Sequence, residues 1–145
     1  MAKLIFVNLP VRDVAGSTAF YESIGATRDA RFSDATASCM QLSETIYVML
    51  LSHDKYRQFT TKPIVDARTA SEVLLCVTED DRAAVDARVD MATAAGGTAD
   101  PTPVQDHGFM YGRSFEDPDG HVWEVTWMDV EAAVAAMAGG REAAA

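Results

Sequence analysis

The pattern that most limits what this chain can fold into is one it writes twice. A strand-like run, LIFVNLPV at residues 4–11, leads to Asp13 at a helix N-cap position, then to a segment with apolar residues at helical spacing over residues 14–24. Gly25 follows as a natural helix stop. Three β-prone pieces come next, at residues 28–32, 36–42 and 45–51, separated by short polar gaps that suit hairpins. The same order then returns. SEVLLCV at residues 71–77 is strand-like, Asp80 or Asp81 caps a helix over residues 82–95, and Gly96-Gly97 ends it. Strand-like pieces follow around residues 98–99, 108–116 and 121–127. Asp13 answers to Asp80, Gly25 to Gly96 and Met49 to Glu124. The two halves share a pattern with negligible identity, and each reads βαβββ.

The second half closes on FEDPDGHVWEVTW, residues 115–127. Asp117-Pro118-Asp119-Gly120 is a turn: Pro118 pre-sets its φ, Asp119 can bond its own backbone, and Gly120 accepts a positive φ. On the strand that follows, side chains alternate between faces. His121, Trp123, Val125 and Trp127 share one face, which reads as core. Val122, Glu124 and Thr126 share the other, so a carboxylate in mid-strand faces either solvent or a cavity whose contents want negative charge.

The repeat predicts an α+β domain over residues 1–145: one module at about residues 4–52, a connector at about 53–70, a second module at about 71–128, and an Ala-rich C-terminal helix at about 129–138. The helix carries Val130, Val134 and Met137 in register and stops at Gly139-Gly140. The connector is polar, contains Pro63, and has room for a short helix around residues 54–59. Hydrophobic residues make up 48% of the chain, enough for a packed core. The formal net charge of −10 argues against nucleic acid or an anionic membrane as partner, because both demand a basic patch. No apolar run approaches the roughly 20 residues needed to span a bilayer, and no N-terminal signal is visible. Cys39 and Cys76 sit in apolar stretches and read as buried thiols in a reducing, cytoplasmic setting.

Two βαβββ units side by side can form one curved mixed sheet around a cavity, with inward positions converging from the first and last strands of each unit. Those positions are Phe6 and Asn8, then Tyr47, Met49 and Leu51, then Glu72, Leu74 and Cys76, then Val122, Glu124 and Thr126. Glu72 and Glu124 would face each other across the mouth. Paired carboxylates can hold a divalent metal, or share a proton so that one acts as a base near neutral pH. Asn8 and Tyr47 are candidate polar contacts for a ligand. His107, in a loop before the third strand of the second half, is another, as exposed loops often carry such groups. Tyr111 and Arg113 share a face. If it points inward they would orient an anionic or carbonyl-bearing ligand. If it points outward, Arg113 pairs with an acidic neighbour such as Glu116 or Asp117.

The stretches LPVRDVAGSTAFYESIG and GFMYGRSFEDPDGHVWEVTW carry a family likeness. The chain resembles the vicinal oxygen chelate superfamily, the group of glyoxalase I, bleomycin-resistance proteins and extradiol dioxygenases, over about residues 4–128. Its subgroup resembles predicted lactoylglutathione lyases. The resemblance implies a metal site with one ligand from each of four strands, at Phe6, Met49, Glu72 and Glu124. Glu124 matches the family's terminal glutamate, and Glu72 stands where His is commoner. Phe6 and Met49 depart from the pattern, since neither is a usual ligand for a hard divalent ion. Two functions are therefore implied. One is a lyase or isomerase that abstracts a proton next to a carbonyl, using one divalent metal (Ni, Zn, Mn or Mg) with Glu124 and Glu72 as ligand or base. The other is a metal-free protein that sequesters a small, cationic drug in the manner of the bleomycin-resistance group. In either case the resemblance implies a homodimer and a small-molecule ligand. Dioxygenase chemistry is disfavoured, because no His occupies either first-strand position.

Overall fold

The computed structural model describes residues 1–144, with side-chain environments to residue 140. The first half runs β1 (Ile5–Val11), α1 (Val14–Ser23), β2 (Thr27–Arg28), β3 (Ala37–Gln41) and β4 (Ile46–Ser52). A short helix α2 (His53–Tyr56) opens the connector. The second half runs β5 (Leu75–Thr78), α3 (Arg82–Ala94), β6 (Thr98–Ala99), β7 (Gln105–Asp106), β8 (Met110–Glu116) and β9 (Val122–Met128), and α4 (Val130–Ala144) follows. The fold is a mixed α+β one built on two βαβββ units. The first sheet has the order β1-β4-β3-β2 and the second β5-β9-β8-β6, with β7 added on β8. In each sheet the first strand lies parallel to the last: Asn8 sits opposite Met49, and Cys76 opposite Glu124.

Local signals account for most element ends. Asp13 caps α1 by accepting from the Gly16 N–H, and Asp81 caps α3 by accepting from the Ala84 N–H. Gly25 and Gly96 take φ of 102° and 101°, the left-handed geometry that a helix stop requires. Residues 30–32 depart from the expected strand. Asp29 accepts from the Arg31 N–H and caps a 3-10 turn, Ala30–Phe32, so only Thr27–Arg28 pairs with β3.

The helix-side faces of both sheets share one core. Val7, Leu9 and Val11 of β1 join Met40, Val48 and Leu50, and these meet Phe20 and Tyr21 of α1. Val85, Val89 and Ala92 of α3 cover Phe115, Trp123 and Val125 in the same cluster. The halves are tied across this core. Tyr21 donates its hydroxyl to Asp117 Oδ2 at 2.7 Å, and Trp123 Nε1 donates to the Tyr21 hydroxyl at 3.0 Å. Asp117 Oδ1 accepts the N–H groups of Asp119 and His121, so the turn carboxylate holds its own loop as well as the other module's helix. At the rim Arg88 bonds Glu79 and donates to the Ile24 carbonyl at the end of α1.

Three expectations need correction. The strand expected over residues 71–77 is Leu75–Thr78. Its parallel partner β9 begins only at Val122, and in the observed register residues 71–73 fall opposite the turn and His121, so they have no strand to pair with. Cys76 is exposed rather than buried, because β5 is an outer strand and Cys76 points away from the core; Cys39 is buried as expected. Finally, α4 runs through Gly139 and Gly140 instead of ending there. Neither glycine adopts a positive φ, and the surrounding alanines are strong helix formers. No helix among the described residues is long and apolar enough to cross a membrane.

Candidate functional site

Strand alternation defines a second face on each sheet, turned away from the helices. In the first sheet it carries Phe6, Asn8 and Pro10, then Tyr47, Met49 and Leu51, then Cys39 and Gln41. Phe6 stacks on Tyr47 with ring centroids 4.7 Å apart, and Gln41 Nε2 donates to the Tyr47 hydroxyl at 3.2 Å. In the second sheet it carries Cys76 and Thr78, then Val122, Glu124 and Thr126, then Gly112 and Ser114. Glu124 therefore lies between Cys76 and Ser114, half-buried, and no hydrogen bond or ion pair engages it among the described residues. Cys76 Sγ lies 3.5 Å from the Thr126 hydroxyl.

A cleft of about 480 Å³ opens between β1, the segment leading into β5 and the start of β9. Asn8, Leu9 and Pro10 of β1 form one wall, and Glu72, Val73, Leu75 and Val122 form the other. Connector residues including Tyr56, Lys62, Ile64 and Val65 close the third side. The volume suits a drug-sized molecule, and the lining is apolar with a few polar groups, as in most ligand sites. His121 fixes the corner by donating Nε2 to the Pro10 carbonyl at 2.8 Å. Lys62 and Glu72 line the same space, and neither makes an ion pair among the described residues.

The expected site residues are thus only partly brought together. Asn8 and Glu72 line the cleft, but Phe6, Tyr47, Met49 and Glu124 do not. Glu124 lies two residues along β9 from Val122 on the same face, so it sits beyond the cleft's end. Glu72 precedes β5 instead of standing on it, and across the sheet Glu124 faces Cys76, not Glu72.

Tyr111 and Arg113 are on the opposite face. They share it with Phe115, which is core, and they meet α3. Tyr111 donates to Asp86 Oδ1 at 2.7 Å, and Arg113 bonds Asp86 at 3.0 Å and Asp100 at 2.8 and 3.1 Å. These are not the neighbours Glu116 and Asp117 that sequence proximity suggested. The Arg113 hydrogen bonds hold the Asp100 carboxyl below its ordinary range, and the Tyr111 hydroxyl does the same for Asp86. His107 lies past β7, exposed, with Nε2 3.2 Å from Gln105 Oε1 and its ring against Phe109. The missed residues are those of the connector: Lys62, Ile64 and Val65 belong to no periodic pattern, and Pro63 was the only signal there.

The four positions that the resemblance assigns to a metal do not fit one. Phe6 presents a phenyl ring occupied by Tyr47, Met49 a thioether, and the two glutamates stand on separate segments. Among the described residues, no three of His, Cys, Asp and Glu come together as a group able to hold a metal ion. A hard divalent ion wants several oxygen or imidazole ligands, which this donor set does not supply.

Comparison with known proteins agrees with the architecture. The chain is similar to a hypothetical protein from S. aureus at 23% identity, with 87% of this chain and 94% of that one covered and a TM-score of 0.72. It is similar to a glyoxalase/bleomycin resistance protein/dioxygenase family enzyme from Burkholderia phytofirmans PsJN at 24% identity, with coverages of 86% and 98% and a TM-score of 0.68. It is also similar to the fosfomycin resistance protein FosX from Listeria monocytogenes at 19% identity, with coverages of 87% and 90% and a TM-score of 0.62. At these identities the likeness establishes fold and nothing finer. Among curated proteins, none matches. The family pattern itself, however, matches residues 3–125, nearly the whole of both modules, and the chain belongs to the Glyoxalase/Bleomycin resistance protein/Dioxygenase superfamily, the vicinal oxygen chelate group.

Proposed function

We propose that this protein binds and sequesters a small, largely apolar, cationic molecule in the cleft between its modules, without a metal. The observation that carries the reading is the cleft itself. It has ligand size, its walls are mostly apolar, and its one carboxylate, Glu72, has no ion-pair partner among the described residues. A carboxylate left unpaired beside apolar walls favours a cationic group on a ligand whose body fills the space. The net charge of −10 adds a weak long-range attraction of the same sign. Phe6 and Met49, at positions where metal ligands are needed, weigh against metal-assisted chemistry.

Calorimetric titration with tetraphenylphosphonium, a small apolar cation, tests this directly. Binding should be stoichiometric, weaken at least about tenfold in Glu72→Gln, a loss of about 1.4 kcal/mol, and change little in Lys62→Met. Equal affinity in wild type and Glu72→Gln would refute the assignment. A second reading rests on Glu124, whose uncommitted carboxylate on the open face of β9 suits a base that removes a proton next to a carbonyl. Titration with Ni, Zn and Mn separates the two. Tight stoichiometric metal binding that vanishes in Glu124→Gln would favour the enzyme and overturn sequestration.

A further inference from the structure

Beside the cleft lies a smaller hollow that the proposed function does not use. Its volume is about 130 Å³, below the ~300 Å³ at which sites for drug-sized molecules begin, so it suits a small ion or a single group. Arg12, which directly follows β1, lines it from the first module, and Asp119 and His121 line it from the turn before β9. His53, Arg57 and Asp66 line it from the connector. Ile64 and Val65 line the hollow and the cleft alike, so the two spaces share a wall.

The polar groups around this hollow are unevenly committed. The Arg12 guanidinium makes no hydrogen bond among the described residues; Asp66 Oδ2 stands 3.6 Å from it, beyond hydrogen-bond reach. Arg57 bonds Asp54 Oδ1 at 3.0 Å, but Asp54 is 98% exposed, so water screens that pair. The His53 ring has no partner among the described residues, whereas His121 gives Nε2 to the Pro10 carbonyl. The aspartates are engaged by backbone: Asp119 Oδ1 accepts the Arg12 N–H at 2.9 Å, and Asp66 Oδ1 accepts the Arg68 N–H at 3.0 Å. Two guanidiniums and an imidazole thus line the hollow with uncommitted N–H groups, and each of the two acids is already partly satisfied.

We propose that this hollow binds a tetrahedral oxyanion, phosphate or a phosphate monoester, which bridges Arg12 on the first module to His53 and Arg57 on the connector. A guanidinium matches such a group because its planar fork of N–H donors pairs with two oxygens at once. The donors come from separate walls of the space. A carboxylate presents its oxygens in one plane, whereas a phosphate presents them on every side and so serves both walls. The net charge of −10 repels anions at long range, so the attraction is local and depends on these side chains. Arg57 stands at the end of α2 and Arg12 at the end of β1, so the bridge fastens the connector that walls the cleft. The hollow holds its anion whether or not the cleft takes a cation.

Calorimetric titration of the full chain with inorganic phosphate, phenyl phosphate and acetate tests this. Both phosphates should bind at one site, and acetate should bind more weakly. Arg12→Met and, separately, Arg57→Met should each weaken phosphate binding at least about tenfold. The two side chains are 51% and 58% exposed, so the variants should keep the wild-type circular dichroism. Arg31→Met removes the same charge outside the hollow and should bind phosphate as wild type does. Amide hydrogen exchange over residues 57–67 should slow when phosphate is present. Phenyl phosphate binding more tightly than phosphate supports a monoester whose body runs along Ile64 and Val65; equal affinities support the free ion. Absence of phosphate binding at millimolar concentration, wild-type affinity in Arg12→Met or Arg57→Met, or an equal loss in Arg31→Met overturns the site. Acetate binding as tightly as phosphate overturns the tetrahedral preference, and exchange unchanged by phosphate overturns the bridge.

Discussion

Replacing Tyr21 by Phe removes one oxygen from the place where the two modules are joined. The wild-type hydroxyl is fully buried, donates to Asp117 Oδ2 at 2.7 Å and accepts from Trp123 Nε1 at 3.0 Å. The variant loses a hydrogen bond to a charged group, worth about 1.5–3 kcal/mol, and leaves a buried indole N–H without an acceptor, costing about 1–3 kcal/mol more. The expected loss is about 3–5 kcal/mol, a large share of the ~5–15 kcal/mol that holds a domain together. At about 2–4 °C per kcal/mol for a chain of this size, the melting temperature should fall by roughly 10–15 °C. The deficit should also depend on pH. Burial pushes the Asp117 carboxyl above its ordinary range, and the Tyr21 hydrogen bond pulls it back down. Without the hydroxyl the folded-state pKa rises further. A raised carboxyl pKa contributes stability that is present below the unfolded value and lost as pH rises through the folded one. The gap between variant and wild type should therefore widen from about pH 4 upward. Calorimetric melts at acid and neutral pH measure both effects. A variant melting within a degree or two of wild type, or a gap unchanged with pH, would refute the account of Tyr21 as the joint.

Arg113→Met should cost about 2 kcal/mol in urea unfolding at neutral pH, an amount already reduced because Asp86 is partly solvated. It should also flatten the acid limb of the stability curve. Asp86 and Asp100 have lowered pKa values, so their contribution is present above the unfolded value of 3.8 and is lost as pH falls through the folded ones. An unchanged acid limb would remove Arg113 from that role. Gly120→Ala should destabilise by about 1–3 kcal/mol, since φ is +92° and the added Cβ would meet the Arg68 amide nitrogen at 2.8 Å. A thermal melt matching wild type would show that the turn can relax.

The architecture was legible where one residue fixes one local geometry. Asp13, Gly25, Gly96 and the Asp117–Gly120 turn each mark an element boundary by their own chemistry, and their spacing carried the doubled unit. Faces were harder. Alternation tells which side chains travel together, and it grouped Tyr111 with Arg113 correctly, but it does not say which group looks at the helix. Phe115 shares their face and was the available clue, with Asp86 and Asp90 on the neighbouring helix as the matching acids. Glu72 was misplaced because strand propensity is only realised beside a partner, and the partner starts at Val122. Val130, Val134 and Met137 were read correctly as one stripe. That nothing among the described residues covers it is a matter of tertiary distance, which periodicity does not record. The cleft wall at Lys62–Val65 had no pattern to read.

The bond between Tyr21 and Asp117 also governs how a guest would arrive. Helix and turn are clamped from opposite halves, with Arg88 and His121 adding clasps at the rim, so the two units are tied into one frame. Most of the cleft lining that is free of regular structure belongs to the strap of residues 57–74, pinned to the frame where Arg68 reaches the Pro118 carbonyl and Arg12 reaches Asp66. Entry and escape are thus a property of that strap, and changes there should alter rates of passage while the frame beneath stays as it is.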